Sequence, residues 1–128
     1  MRLLIDAHAL IWAADDPTRL GSQAAVELRN RSNQLLLGAG TLWELSIKVG
    51  LRKLSLSLPY RQWVGKAIAD LGLSVLPITV DYADVQAGLT QHHKDPFDRL
   101  IVAQALVEAI PVVSADPQLD AYGITRIW

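Results

Sequence analysis

Apolar residues along this chain fall into short continuous runs that alternate with longer stretches of helical spacing. The continuous runs predict buried strands over 2–6, 35–37, 74–77, 111–114 and 124–128. The spaced stretches predict helices over 7–14, 22–31, 41–49, 59–71, 79–89 and 96–109, and segment 54–58 is expected to be extended. Strands that alternate with helices are typical of an α/β fold, with a parallel sheet covered on both faces.

Glycine and proline residues set the expected limits of several elements. The segment 38–40, Gly-Ala-Gly, is expected to close the second strand before a helix that begins at Thr41. Gly50 fits the end of that helix, since glycine commonly follows a helical segment. Pro96 fits the first turn of the longest helix, where its missing N–H has no helical partner in any case.

The composition indicates one globular domain over residues 1–128, with 51% hydrophobic residues. No apolar run approaches the ~20 residues of a membrane span, and charge interrupts the N-terminus too early for a signal peptide. The absence of cysteine excludes disulfides, a thiolate nucleophile and a zinc–sulfur site, and it fits a cytoplasmic location. The high apolar content suggests that a partner or a second copy covers part of the surface.

Charge is unevenly distributed, although the net charge is only −1. The chain carries no acid between Glu44 and Asp70, yet five basic residues lie there: Lys48, Arg52, Lys53, Arg61 and Lys66. A local basic patch of this kind can contact phosphate groups without a basic overall charge. A solvated helix face is the alternative interpretation of each of these residues.

Four acidic residues are expected at one edge of the predicted sheet. Asp6, Glu44 and Asp116 directly follow predicted strands, and Asp98 lies in the first turn of the longest helix. Ligands of parallel sheets bind beyond the carboxyl ends of the strands, so the four side chains can meet there. Carboxylates packed together repel unless a cation compensates, and Mg²⁺ or Mn²⁺ prefers oxygen ligands. One or two such ions could support displacement at a phosphodiester.

Local structural roles are the alternative for the same acids. Asp6 and Asp116 could each simply begin a turn. Glu44 has the spacing of a capping box with Thr41, in which the glutamate bonds back to the first amide of the helix. Asp95 precedes Pro96 and is expected to cap the longest helix.

Histidine and tryptophan are expected to have structural or peripheral roles. His92 and His93 are interpreted as loop or surface groups rather than metal ligands. The four tryptophans are interpreted as core or interface residues rather than platforms for stacked bases: Trp12, Trp43, Trp63 and Trp128.

Four segments together resemble the PIN-domain ribonucleases, and among them the VapC-type toxins of bacterial toxin–antitoxin pairs. The similarity runs from Arg2 to Trp128, and its most specific part is the Asp-Pro-Phe-Asp-Arg stretch at 95–99. The segments are Leu3-Leu4-Ile5-Asp6-Ala7-His8-Ala9-Leu10-Ile11-Trp12, Leu42-Trp43-Glu44-Leu45-Ser46-Ile47-Lys48, His92-His93-Lys94-Asp95-Pro96-Phe97-Asp98-Arg99-Leu100-Ile101-Val102-Ala103-Gln104-Ala105 and Ser114-Ala115-Asp116.

The resemblance implies a three-layer α/β/α sandwich around a short parallel sheet and an endoribonuclease that depends on Mg²⁺ or Mn²⁺. It implies that the metal ligands and catalytic residues are Asp6, Glu44, Asp98 and Asp116. Ser114 is expected to support the last acid, and Asp95 to lie beside the site. An antitoxin protein and a homodimer are the implied partners, with single-stranded RNA as the substrate. We further expect the basic side chains near the acids to position RNA phosphates: Arg99, Lys94 and Lys48.

One position departs from the family pattern, because Ala7 follows the first aspartate where Thr or Ser is common. The missing hydroxyl leaves open a weak or silent PIN fold that only binds RNA or protein. A receiver-like signalling domain is a further alternative, since it also has acids at strand ends. It requires a second acid near Asp6 and a late lysine, and no lysine follows Lys94.

Overall fold

The computed structural model describes all 128 residues, Met1–Trp128. Its five strands are β1 (Arg2–Ile5), β2 (Gln34–Gly38), β3 (Leu73–Leu76), β4 (Val112–Val113) and β5 (Arg126–Ile127). Its six α-helices are α1 (Ala7–Asp15), α2 (Ser22–Arg29), α3 (Ala39–Gly50), α4 (Tyr60–Leu71), α5 (Val80–Gly88) and α6 (Pro96–Glu108). Two short 3-10 turns cover Pro17–Arg19 and Pro117–Tyr122. No helix combines the length and the apolar character that crossing a membrane requires.

The five strands form one sheet in the order β3-β2-β1-β4-β5, and every neighbouring pair is parallel. The predicted parallel α/β sheet is therefore confirmed. β1 lies at its centre, and the amide of Asp6 donates a hydrogen bond to the carbonyl of Val113 at 3.1 Å. Because all strands run the same way, the residues that follow them gather at one edge, with Asp6 in the middle.

Side chains on the two faces of the sheet enter two separate hydrophobic cores. In β1, Leu3 and Ile5 pack with α1, α2 and α4, whereas Leu4 packs with α5 and α6. This division follows from strand geometry, in which successive side chains point to opposite faces. The structure is thus the expected three-layer α/β/α sandwich. Trp63 of α4 is almost fully buried in the first core, as predicted for a core tryptophan.

Side-chain caps fix where three of the helices begin. The Asp6 carboxylate accepts the amide of Ala9 at 2.8 Å, and Thr79 caps α5 in the same way. Asp95 accepts the amides of Phe97 and Asp98 at 2.8 and 3.2 Å. The cap predicted for Asp95 is confirmed, and it holds the first turn of α6 in place.

Helix α3 begins earlier than the sequence predicts. It starts at Ala39, so Gly40 is a buried helical residue rather than part of a closing turn. A β-carbon added at Gly40 would lie 2.4 Å from Leu100 Cδ2, which explains the small residue as a close contact between α3 and α6. Glu44 consequently lies in the second turn of α3, and the capping box predicted with Thr41 is wrong.

Two further expectations about strands differ from the structure. The segment 54–58 forms no strand; Leu54 and Leu56 pack on the first core, while Ser57 donates two hydrogen bonds to Asp15. Side-chain contacts, not strand pairing, therefore hold this segment. The last two strands contain two residues each, because their backbone pairing with β1 and with each other is short.

Candidate metal centre

Three of the predicted acids lie close together at the carboxyl edge of the sheet. Asp6 and Glu44 are buried, with 7% and 4% of their surface exposed, and Asp98 is half-buried at the start of α6. The negative charges of Glu44 and Asp6 both raise the pKa of Asp98, and that of Glu44 also raises the pKa of Asp6. Three segments far apart in sequence therefore converge on one negatively charged site.

The contact between α3 and α6 places two of these acids on facing helices. Gly40 lies against Leu100, Glu44 follows Gly40 by one helical turn, and Asp98 precedes Leu100 by two residues. A β-carbon at Gly40 would displace the end of the Leu100 side chain from this contact. The close approach of the two helices at Gly40 places Glu44 and Asp98 at the same edge.

Asp98 has the most strongly altered acidity in the site. Burial raises its pKa from 3.8 to about 6, and the neighbouring charges of Asp95 and Glu44 add to the effect. The position of Asp98 in the first turn of a helix favours its charged form, but here burial and repulsion win. A nearby cation would therefore stabilise the ionised form of Asp98.

Asp6 is held by groups that stabilise its charged form against burial. Burial raises the pKa of Asp6, while hydrogen bonds from the Ser114 hydroxyl and the Ala9 amide lower it. Ser114 is fully buried, and its oxygen also accepts the amide of Asp116 at 3.1 Å. Ser114 thus connects the first and last acids, which is the supporting position expected for it.

Asp116 has two roles at the other side of the site. One oxygen, Oδ1, accepts the amide of Gln118 at 2.9 Å, as in the turn that the sequence suggested. The other, Oδ2, faces Nε2 of His93 at 3.2 Å. Donor atoms of His93, Asp98 and Asp116 lie within 4.8 Å of one another, close enough to hold one metal ion.

His93 lies in a loop, as expected, but it is buried rather than at the surface. It is 9% exposed and lies at the site, whereas the adjacent His92 is exposed. The hydroxyl of Tyr122 accepts the backbone amide of His93 at 2.9 Å, and the two rings stack with centroids 5.7 Å apart. The sequence signal for a histidine at the site is its closeness to Asp98, which His93 precedes by five residues. His92 is almost equally close, so this signal does not show which of the two histidines lies at the site.

Lys48 places a positive charge beside the carboxylates. Its Nζ lies 2.7 Å from Glu44 Oε2, one helical turn away on α3. The hydrogen bond to Glu44 raises the pKa of Lys48, and the charges of Asp95 and Asp98 act in the same direction. Lys48 is therefore charged and faces the site, but one ammonium group does not balance this number of acids.

Arg99 has a structural role that the sequence did not indicate. Its guanidinium is buried and donates to the carbonyls of Thr90, Gln86 and Leu89 at 3.1 to 3.3 Å. These bonds fasten the end of α5 and the following loop to α6, which removes Arg99 from the set of phosphate contacts. Lys94, by contrast, lies exposed in the loop next to the site.

The donor set fits a divalent cation. Carboxylate oxygens come from β1, α3, α6 and the turn after β4, and Asp98 resists ionisation in their company. Hard cations such as Mg²⁺ take oxygen ligands of this kind. Donor atoms of Asp98 and Asp116 are spaced to share one ion with His93, whereas Asp6 and Glu44 act on Asp98 through their charge. Asp95 contributes its charge and its helix cap.

The fold is similar to those of several solved structures. FitAcB from Neisseria gonorrhoeae is 18% identical, with 97% of this chain and 95% of that chain covered at a TM-score of 0.65. VapBC2 from Rickettsia felis, solved with a DNA fragment from their promoter, is 17% identical, with 98% and 97% covered at 0.64. VapBC-1 from nontypeable Haemophilus influenzae is 14% identical, with 98% and 96% covered at 0.62. At these identities the similarity concerns the fold.

Sequence comparison identifies the family directly. No curated protein matches the chain. The family model of the PIN domain, however, matches residues 3–124, which include all four acids at the sheet edge. PIN domains are generally nucleases that use divalent metal ions, which agrees with the donor set described above. The chain therefore belongs to the PIN domain family.

Proposed function

We propose that this protein is a divalent-metal-dependent endoribonuclease and the toxin of a toxin–antitoxin pair. The observation that carries the proposal is the convergence of Asp6, Glu44 and Asp98 at one sheet edge. Asp116 joins this group because its carboxylate has an oxygen within 4.8 Å of one of Asp98. Such a concentration of carboxylates is costly without a cation, and family membership supplies the reaction class.

The four acids would hold Mg²⁺ or Mn²⁺ beside the RNA backbone. When bound, such an ion lowers the pKa of a water molecule and neutralises charge on the leaving oxygen. Asp6 and Glu44 place buried carboxyl groups at the site, and Ser114 orients Asp6. Hydrolysis of this type leaves a 5′-phosphate and a 3′-hydroxyl.

Lys48 and Lys94 are the proposed contacts for RNA phosphates. Lys48 lies at the site through its bond to Glu44, and Lys94 is exposed in the loop before α6. Phosphate contacts fix the register of a nucleic acid without reading its sequence. We therefore expect the two lysines to affect substrate binding more than cleavage preference.

An antitoxin and a second copy of this chain are the proposed protein partners. Two of the similar structures carry the VapBC name, and the sequence resembles the VapC-type toxins. Helix α3 and the residue after it also expose large apolar side chains at Trp43, Ile47 and Leu51, of which Trp43 is 65% exposed. A surface of this kind next to the acidic site favours a protein partner.

The decisive experiment is cleavage of labelled RNA by the purified, antitoxin-free protein. We expect discrete cuts with Mg²⁺ or Mn²⁺ that disappear with EDTA and in an Asp98→Asn variant. Asp81→Asn is the matched control, since Asp81 is also in the first turn of a helix but is exposed on α5. It should cleave like the wild type.

Two outcomes would contradict the proposal. Products that end in a 2′,3′-cyclic phosphate would indicate attack by the 2′-hydroxyl of the RNA rather than by water. No cleavage by well-folded protein would favour the silent binding module, which the alanine at position 7 keeps in consideration. Light scattering that finds only monomers would count against the homodimer separately.

A further inference from the structure

His93 is a buried imidazole at the candidate metal centre. It is 9% exposed, its Nδ1 has no hydrogen-bond partner, and its Nε2 faces only the Asp116 carboxylate. Because Nδ1 is the unpaired nitrogen, Nε2 is the ring atom that is directed at the acids. The charged neighbours of the ring are the acids of the candidate metal centre.

The geometry around the ring suits direct coordination. The distance of 3.2 Å between His93 Nε2 and Asp116 Oδ2 is close to the separation of adjacent ligands in an octahedron with bonds of about 2.1 Å, which is about 3.0 Å. Asp98 supplies a third donor, and all three atoms lie within 4.8 Å of one another. Opposite ligands in such an octahedron are about 4.2 Å apart, so only a small contraction is needed.

Neighbouring residues hold the imidazole in this position. Its backbone amide is bonded to the Tyr122 hydroxyl, and its ring stacks on the Tyr122 ring. The loop in which it lies is fastened to α6 by the three bonds of Arg99. A ligand that is already oriented loses little freedom when it binds a metal.

We propose that His93 is a direct nitrogen ligand of the divalent cation, together with Asp98 and Asp116, and that the site favours a first-row transition ion over Mg²⁺. The inference rests on the proposed function and deepens it by naming a ligand and a metal class. An imidazole nitrogen binds transition ions well, whereas Mg²⁺ prefers oxygen donors and gives up its water reluctantly.

Pulsed electron paramagnetic resonance with Mn²⁺ tests this directly, because it detects a ¹⁴N nucleus bound to the metal. We expect a ¹⁴N coupling in the wild type that disappears in His93→Gln. His92→Gln and His8→Gln are matched controls: His92 is the exposed neighbour of His93, and His8 lies near Asp6. Both should retain the coupling.

Competition between the two metals gives a second readout. His93→Gln should weaken Mn²⁺ binding by at least about 10-fold while Mg²⁺ binding changes less, so that the preference for Mn²⁺ falls. Equal weakening for both metals would indicate a merely structural role. Circular dichroism shows whether His93→Gln folds. If it does not, the presence or absence of the ¹⁴N coupling in the wild type and in the His92→Gln and His8→Gln variants decides the role of His93.

The outcomes separate this inference from the proposed function. Mn²⁺ that binds the wild type without a ¹⁴N coupling would overturn the role of His93 and leave the metal-dependent nuclease intact. Failure of the wild type to bind either Mn²⁺ or Mg²⁺ would overturn both.

Discussion

Replacing Asp98 by asparagine is expected to stabilise the metal-free protein. Burial and the charges of Asp95 and Glu44 raise the pKa of Asp98 from 3.8 to about 6. The folded state therefore holds this proton more tightly than the unfolded state, and stability falls as the pH rises through the interval between the two values. Asparagine carries no charge at any pH, so it avoids this loss.

The size of the effect follows from the shift in pKa. An elevation from 3.8 to about 6 corresponds to roughly 3 kcal/mol in the free energy of unfolding at neutral pH. Relaxation of a half-buried side chain and the favourable helix dipole reduce this energy. We therefore expect Asp98→Asn to raise the free energy of unfolding by about 1–3 kcal/mol at about pH 7.5. At about pH 4 the aspartate is protonated when folded, and the gain should be nearly absent.

Urea unfolding in EDTA, followed by circular dichroism at both pH values, measures the difference. Asp81→Asn is the control, because it removes an exposed carboxylate from the same kind of helix position. It should give no gain at either pH. Added Mg²⁺ or Mn²⁺ should reverse the order, since a cation that binds only the folded protein stabilises the wild type more.

Two results would refute this reasoning. One is an Asp98→Asn variant that unfolds at the same or a lower urea concentration than the wild type at about pH 7.5 without metal. The other is a gain that is equally large at about pH 4, which would point to packing rather than charge.

Three further changes test other parts of the structure. Asp15→Ala should lower the free energy of unfolding by about 1–3 kcal/mol, because it leaves the buried indole N–H of Trp63 without its partner at 2.9 Å. Urea unfolding measures this loss, with Asp84→Ala, a change at an exposed position, as the control. Arg99→Met should lose three carbonyl contacts and loosen the end of α5, which hydrogen exchange would detect as faster exchange in segment 86–94, and unchanged exchange would contradict the role given to Arg99. Ala7→Thr should raise metal affinity or RNA cleavage by up to about 10–100-fold if the missing hydroxyl weakens the site; a titration with Mn²⁺ showing no change would mean that Ser114 already provides the support.

Local patterns predicted the layers and most of the helices, because their signals lie within a few residues. Alternating apolar positions in β1 separate Leu3 from Leu4, and these two residues do enter different cores. Asp95 before Pro96 predicted the start of α6 for the same reason: a helix cap depends only on its neighbours. The acids that follow predicted strands were likewise expected at one edge of the sheet, because the ends of parallel strands meet there.

Features that depend on tertiary contacts were not predictable in this way. Gly40 resembles part of a turn in the sequence, and only the approach of Leu100 shows that it serves helix packing. His92 and His93 are identical residues side by side, and Tyr122, far along the chain, determines which one faces the site. Arg99 looked like a phosphate contact until its three backbone partners were known.

The strand order makes the completion of the candidate site depend on the last part of the chain. The central strand β1 is synthesised first, yet its neighbour β4 and the acid Asp116 come about 110 positions later. Ser114 is itself held by a backbone bond to Ile127 in β5 at 3.1 Å. A copy that is shortened before residue 112 keeps Asp6, Glu44 and Asp98 but lacks β4, β5 and the turn that holds Asp116. If the chain is the nuclease we propose, such a copy cannot complete its site, so limited proteolysis of this segment would switch the activity off.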